Sequence, residues 1–146
     1  MSRGDSGKSA ERTAPRRLRV LIIEDSREDA ALVGHALGRS EEPSFEFVTA
    51  GSVEEARSHL WRRFDAVLLD LALPDSHGLR TLRHIQGAAP RVPIVVLSRA
   101  DDPELVSRCI EWGASDFPVK GRAGASEMLD ALTAAVERGR LGADGP

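Results

Sequence analysis

The stretch Ala66-Val67-Leu68-Leu69-Asp70-Leu71-Ala72-Leu73-Pro74 opens with four consecutive apolar residues that stop abruptly at an acid. Such a run is too short for an ordinary helix. Apolar on both faces, it fits a strand of a parallel sheet covered by helices on each side. Two other runs have the same form: residues 20–23 (Val-Leu-Ile-Ile), followed by Glu24-Asp25, and residues 94–97 (Ile-Val-Val-Leu), followed by Ser98. Weaker runs at 45–48 and 117–119 predict two further strands. Pro118 has no N–H to give to a ladder, which puts the last strand at a sheet edge.

Between the runs, apolar residues recur at helical spacing. Ala30, Val33 and Leu37 share a face, as do Val53, Ala56 and Leu60, then Leu105, Cys109 and Trp112, then Leu129, Leu132 and Val136. Ser26 with Asp29 and Ser52 with Glu55 have capping-box spacing, and Asp102 before Pro103 reads as a cap followed by proline at the first helical position. Residues 78–86 supply the remaining helix. Strands and helices thus alternate strictly, which predicts an α/β fold with a five-stranded parallel sheet, right-handed crossovers and helices on both faces. Trp61 and Trp112 are assigned to packing. His35, His59, His77 and His84 lack ligand spacing and are assigned to the surface or to helix packing.

A chain of 146 residues fits one domain. Its 41% hydrophobic and 29% charged residues are ordinary globular usage, against disorder, collagen or a membrane protein. With 20 basic and 23 acidic residues the net charge is −3, so no large basic surface advertises nucleic acid. One cysteine makes neither an internal disulfide nor a thiolate metal cage, and no segment reads as a signal peptide; a cytoplasmic protein is expected. Residues 1–17 hold five basic residues, two acidic ones and almost nothing large and apolar, and are expected to be a flexible basic tail. The folded domain is expected over 18–139, with a short tail at 140–146.

In open parallel sheets ligands bind outside the carboxyl ends of the strands. There the sequence places Glu24 and Asp25, Asp70, Ser98 and Lys120. Three carboxylates at 4 Å repel by roughly 4 kcal/mol per pair at an effective dielectric of about 20, so a cation is needed to compensate. Oxygen-only ligands with few carboxylates suit Mg2+, or Mn2+ in its place. A metal ion, a lysine and a hydroxyl beside a carboxylate also meet the needs of phosphoryl transfer, with Asp70 as the nucleophile. The rival readings are local: Glu24 and Asp25 complementing the positive end of the next helix, Asp70 capping a loop, Ser98 in a turn, and Lys120 as a solvated charge.

These residues and their order resemble a receiver domain of the bacterial two-component response regulators, the CheY-like superfamily. The resemblance runs from about Arg19 to Val136 and rests on Glu24-Asp25, Asp70-Leu71-Ala72-Leu73-Pro74 with Gly78, Ser98, and Gly113 to Lys120. It implies a flavodoxin-like, doubly wound sheet of order 2-1-3-4-5 and phosphorylation of Asp70 by a histidine kinase or a histidine phosphotransfer protein. It further implies that Glu24, Asp25, Asp70 and the backbone carbonyl of Ala72 hold the metal, that Ser98 and Lys120 contact the phosphoryl group, and that Phe117 changes rotamer as Ser98 moves. Departures from the family pattern are Arg99 in place of a small residue, a small Ala72, and Gly121 in place of a proline.

Only 26 residues follow Lys120, which predicts a stand-alone switch, not an enzyme beyond its own phosphoryl transfer and dephosphorylation. It would signal to a protein partner through the face made by the fourth helix, fifth strand and fifth helix, or by phosphorylation-dependent homodimerisation, without nucleic acid or membrane. Two alternatives stay open. One is a phosphorylation-independent adaptor of the same fold, supported by Arg99 and Gly121. The other is a flavin or nucleotide binder, which the lack of a glycine-rich phosphate loop after the first strand disfavours.

Overall fold

A computed structural model of the chain describes residues 16–97, 102–118 and 124–144, with side chains described through residue 139. The apolar runs become a parallel sheet. β1 (Arg17–Ile23) lies between β2 (Ser44–Ala50) and β3 (Ala66–Leu69), and β6 (Ile94–Val96) adds to the far side of β3, giving the order β2-β1-β3-β6. The register aligns Ile23 with both Ala50 and Leu69, and Leu69 with Val96, so all four strands end on one row.

Alternation along the strands divides the core in two. Leu18, Val20, Ile22, Leu68 and Val95 face α1 (Arg27–Gly38) and α5 (Ala125–Asp144), where Val33, Leu37, Leu132 and Val136 are buried. Leu21, Ile23, Val67, Leu69 and Val96 face the other helices, α2 (Val53–His59), α3 (Leu79–Ala88) and α4 (Pro103–Glu111), through Ala56, Leu82, Ile85 and Cys109. Both faces of the sheet are therefore covered, which is why β3, β6 and the second half of β1 are apolar without alternation. The helix starts follow local chemistry. Ser26 Oγ accepts the Asp29 N–H at 3.2 Å, Ser52 Oγ accepts the Glu55 N–H at 3.0 Å, and Asp102 Oδ1 accepts the Glu104 N–H at 3.0 Å. Each satisfies an amide the helix itself leaves unpaired.

Several expectations need correction. The sheet has four strands among the described residues, and the fifth is reduced to a single parallel bridge between Val95 and Asp116. Val96 N–H donates to the Asp116 carbonyl at 2.9 Å and Ser115 N–H to the Ile94 carbonyl at 2.7 Å. Phe117 gives its N–H to Asp116 Oδ1 at 2.8 Å, and Pro118 has none to give. A second, two-stranded antiparallel ribbon, β4 (Ala72–Leu73) with β5 (Ser76–His77), was not expected.

Arg17 already belongs to β1 and pairs with Ser44, because Arg17 and Arg19 reach Glu46 on the neighbouring strand at 3.9 and 2.9 Å. At the other end α5 runs to Asp144, and within it Arg138 Nη2 donates to the Ser115 carbonyl at 3.0 Å. Trp61 is 77% exposed and Trp112 43% exposed, so neither is a core residue. Trp61 follows the end of α2 with Arg62 over its ring, and Trp112 closes α4 beneath the Arg83 guanidinium, 4.6 Å from the ring centre.

Candidate functional site

The chain passes from β1 to β2 on one side and then to β3 on the other, so the topological switch point lies between β1 and β3. A crevice opens there at the carboxyl ends of the strands. The acids that follow those two strands meet in it. One carboxylate oxygen from each of Glu24, Asp25 and Asp70 lies within 4.8 Å of the others, and no other three acid, histidine or cysteine side chains converge this way among the described residues.

Backbone pairing fixes the corner. Glu24 N–H donates to the Ala50 carbonyl at 2.8 Å and Asp70 N–H to the Ile23 carbonyl at 2.9 Å, extending the ladder one residue past each strand. Glu24 and Asp70 are buried and Asp25 is exposed at the mouth. The Ser26 N–H donates to Glu24 Oε2 at 3.1 Å, and the Ala72 N–H donates to Asp70 Oδ1 at 2.9 Å. A hard divalent cation with oxygen ligands fits this set of three carboxylates.

Phe117 is buried in the core cluster on the α2, α3 and α4 side of the sheet. Ser98, Lys120, Arg99 and Gly121 lie outside the described residues. Two features of the loop after Asp70 went unread in the sequence. The Asp75 carboxylate accepts the Val53 N–H at 3.0 Å and the Glu54 N–H at 3.1 Å, tying the ribbon turn to the start of α2. The Val53 amide in the first place, with the Glu54 amide and against the desolvation that opposes them, holds the Asp75 carboxyl below its usual range. Ser76 and Thr81 form a buried hydroxyl pair, 2.8 Å apart. Pro74-Asp75 signals a turn, but no local pattern points to a partner 22 residues upstream. Cys109 is wholly buried and its thiol is pushed up by burial, so it packs rather than reacts. No described helix is long and apolar enough to cross a membrane.

Among curated proteins, the two-component response regulator ORR1 of Oryza sativa is 32% identical over 112 residues, covering 70% of this chain and 48% of that protein. Protein-glutamate methylesterase/protein-glutamine glutaminase 2 of Cereibacter sphaeroides is 40% identical over 129 residues, covering 84% of this chain and 34% of that protein. The chain thus spans half or less of the length of these relatives. Among solved structures, the signal receiver domain of a putative LuxO repressor protein from Vibrio parahaemolyticus superposes with a TM-score of 0.74 at 25% identity, covering 86% of this chain and 94% of that one. The phosphorylated cyanobacterial phytochrome response regulator RcpA superposes with a TM-score of 0.64 at 25% identity, covering 86% and 93%. Residues 20–133 match the family described as the response regulator receiver domain. By that match the chain belongs to the response regulator receiver domains, the signalling modules of two-component systems.

Proposed function

We propose that this chain is a phosphoacceptor switch of a two-component or phosphorelay system, phosphorylated on Asp70 in a Mg2+-dependent reaction and signalling by protein–protein interaction. The convergence of Glu24, Asp25 and Asp70 within 4.8 Å at the switch point carries the reading. Those three side chains and the Ala72 carbonyl would hold Mg2+ or Mn2+. When bound, the ion would neutralise the negative charge carried by the phosphoryl oxygens in the transition state.

Asp70 is the nucleophile. One of its oxygens forms a bond to phosphorus as the P–N bond to a donor histidine breaks, and the imidazole leaves with the electron pair. The donor is a histidine kinase or a histidine phosphotransfer protein. Lys120 neutralises the phosphoryl group, Ser98 bonds it, and Phe117 changes rotamer with Ser98. The output surface comprises α4, the segment at Asp116 and Phe117, and α5. There Ile110 and Trp112 are partly exposed, and a protein partner or a second copy binds it in the cytoplasm. Phosphorylation shifts the population only by its differential binding energy for the two states.

The test is transfer from a phosphorylated histidine kinase panel, with Mg2+ or with a chelator, to the wild-type chain and to Asp70→Asn. Transfer that needs both Mg2+ and Asp70 supports the reading. Failure of transfer from every donor, together with partner binding that Asp70→Asn leaves unchanged, overturns it in favour of a phosphorylation-independent adaptor.

A further inference from the structure

We infer that Thr81 is a positioning residue for the phosphoacceptor, acting through the Leu71-Ala72 peptide group; this rests on reading Asp70 as the acceptor. Four polar side chains are buried among the described residues, and they fall into two pairs: Glu24 with Asp70 in the acidic corner, and Ser76 with Thr81 behind it. Thr81 is 0% and Ser76 5% exposed. Thr81 Oγ1 lies 2.8 Å from Ser76 Oγ and 3.4 Å from the Leu71 carbonyl oxygen. That carbonyl also accepts the Gly78 N–H at 2.8 Å. On the opposite edge of the same peptide group, the Ala72 N–H donates to Asp70 Oδ1 at 2.9 Å.

A peptide group is planar and its C=O and N–H point in opposite directions. Whatever orients the Leu71 carbonyl therefore orients the Ala72 amide hydrogen, and with it the carboxylate that hydrogen holds. The surrounding loop supplies part of this stiffness, through Leu71 and Leu73 in the core and the Asp75 bonds to α2. Its ribbon has only the pairs Ala72 with His77 and Leu73 with Ser76, and a two-stranded hairpin is marginal in water even when longer. Thr81 stands in the first turn of α3, so its hydroxyl ties the loop to a helix whose Leu82 and Ile85 are fixed in the core. Ser76 completes the arrangement by pairing with the Thr81 hydroxyl inside the protein, where an unpaired hydroxyl would be costly. The effect on reaction is one of orientation: the amide fixes the rotation of the Asp70 carboxylate, and small errors in the attacking geometry carry large rate penalties.

Thr81→Val removes the hydroxyl and keeps the branched shape, whereas Thr81→Ser keeps the hydroxyl and removes a buried methyl. The readouts are hydrogen exchange at the Ala72 amide and the apparent affinity for beryllofluoride in Mg2+, followed by fluorine NMR. In Thr81→Val we expect Ala72 exchange about five- to tenfold faster and beryllofluoride affinity lower by a similar factor. Thr81→Ser should restore both. A purely structural role would leave Thr81→Ser impaired, since it loses packing. Wild-type values in folded Thr81→Val, or no recovery in Thr81→Ser, would overturn the inference. Should Thr81→Val fail to fold, Ser76→Ala frees the Thr81 rotamer and is expected to speed Ala72 exchange about twofold; an unchanged amide overturns the inference there too. If the wild-type chain takes no beryllofluoride on Asp70, the reading of Asp70 fails, while Ala72 exchange still decides whether Thr81 orients its carboxylate.

Discussion

The carboxyl rim of the sheet is built in two different ways. At the corner between β1 and β3 each strand is paired on both sides, the ladder runs on to Glu24 and Asp70, and the loop beyond is pinned by Leu71 and Leu73 in the core and by bonds to Leu71, Val53 and Glu54. At the β6 edge the described residues of the next segment meet the sheet through one bridge, at Asp116, and the Phe117 amide turns to its neighbour's side chain. The difference matches two needs of the proposed switch. Phosphoryl transfer requires groups that do not move, so its carboxylates belong between central strands. A change of binding surface calls for a segment that gives up few bonds when it moves, and among the described residues the segment beside β6 makes one bridge.

The most severe way to break this comparison is to measure opening directly. In native-state hydrogen exchange, the amides of Ile22 and Leu68 are expected to exchange on the order of a hundredfold or more slower than those of Ser115 and Phe117. Equal rates would remove the distinction. A cavity at the corner comes next: Leu69→Ala, at a wholly buried position, is expected to cost about 2–5 kcal/mol in urea unfolding. Third is Gly78, with φ of 67° and ψ of −149°, a conformation open to glycine at little cost. Nothing lies within 4 Å of where its Cβ would stand, so the expected loss of about 1–3 kcal/mol in Gly78→Ala is backbone strain alone. A loss near zero would mean the loop is softer than its bonds suggest.

The smallest expected effect concerns Asp75. Its carboxyl is held below the usual range by the Val53 and Glu54 amides, so the folded state favours the ionised form. A depressed folded pKa gives stability that is present above the unfolded pKa, near 4, and lost as pH falls through the folded one. Asp75→Ala should therefore lower Tm by about 2–4 °C at pH 7, and the gap to the wild-type chain should close below pH 4. A gap that persists in acid would assign the contribution to packing.

What the sequence disclosed follows the same division. The run at 66–69 is β3 to the residue, because strands covered on both faces have no polar positions to blur their ends. Caps at Ser26, Ser52 and Asp102 act within three residues and were readable for that reason. Glu24, Asp25 and Asp70 could be brought together from sequence because each follows a strand of one parallel sheet. The start of β1 was hidden: Arg17 looks like a tail residue until Glu46 is placed on the adjacent strand. The cap from Asp75 to α2 and the pairing of Ser76 with Thr81 were hidden too, since each reads alone as an ordinary turn or helix residue. The run at 117–119 suggested a strand; among its described residues Phe117 gives its N–H to the Asp116 side chain and Pro118 has none, so the bridge there falls at Asp116.

The central claim is that the acid corner takes a phosphoryl group on one particular residue. The most direct measurement is to phosphorylate the whole chain with a small phosphodonor or cognate kinase in Mg2+, reduce the acyl phosphate with borohydride, and find the altered residue by peptide mass spectrometry. The expected result is modification at Asp70 that disappears when the metal is chelated. Modification at Glu24, Asp25 or elsewhere, or modification that persists without metal, would contradict it.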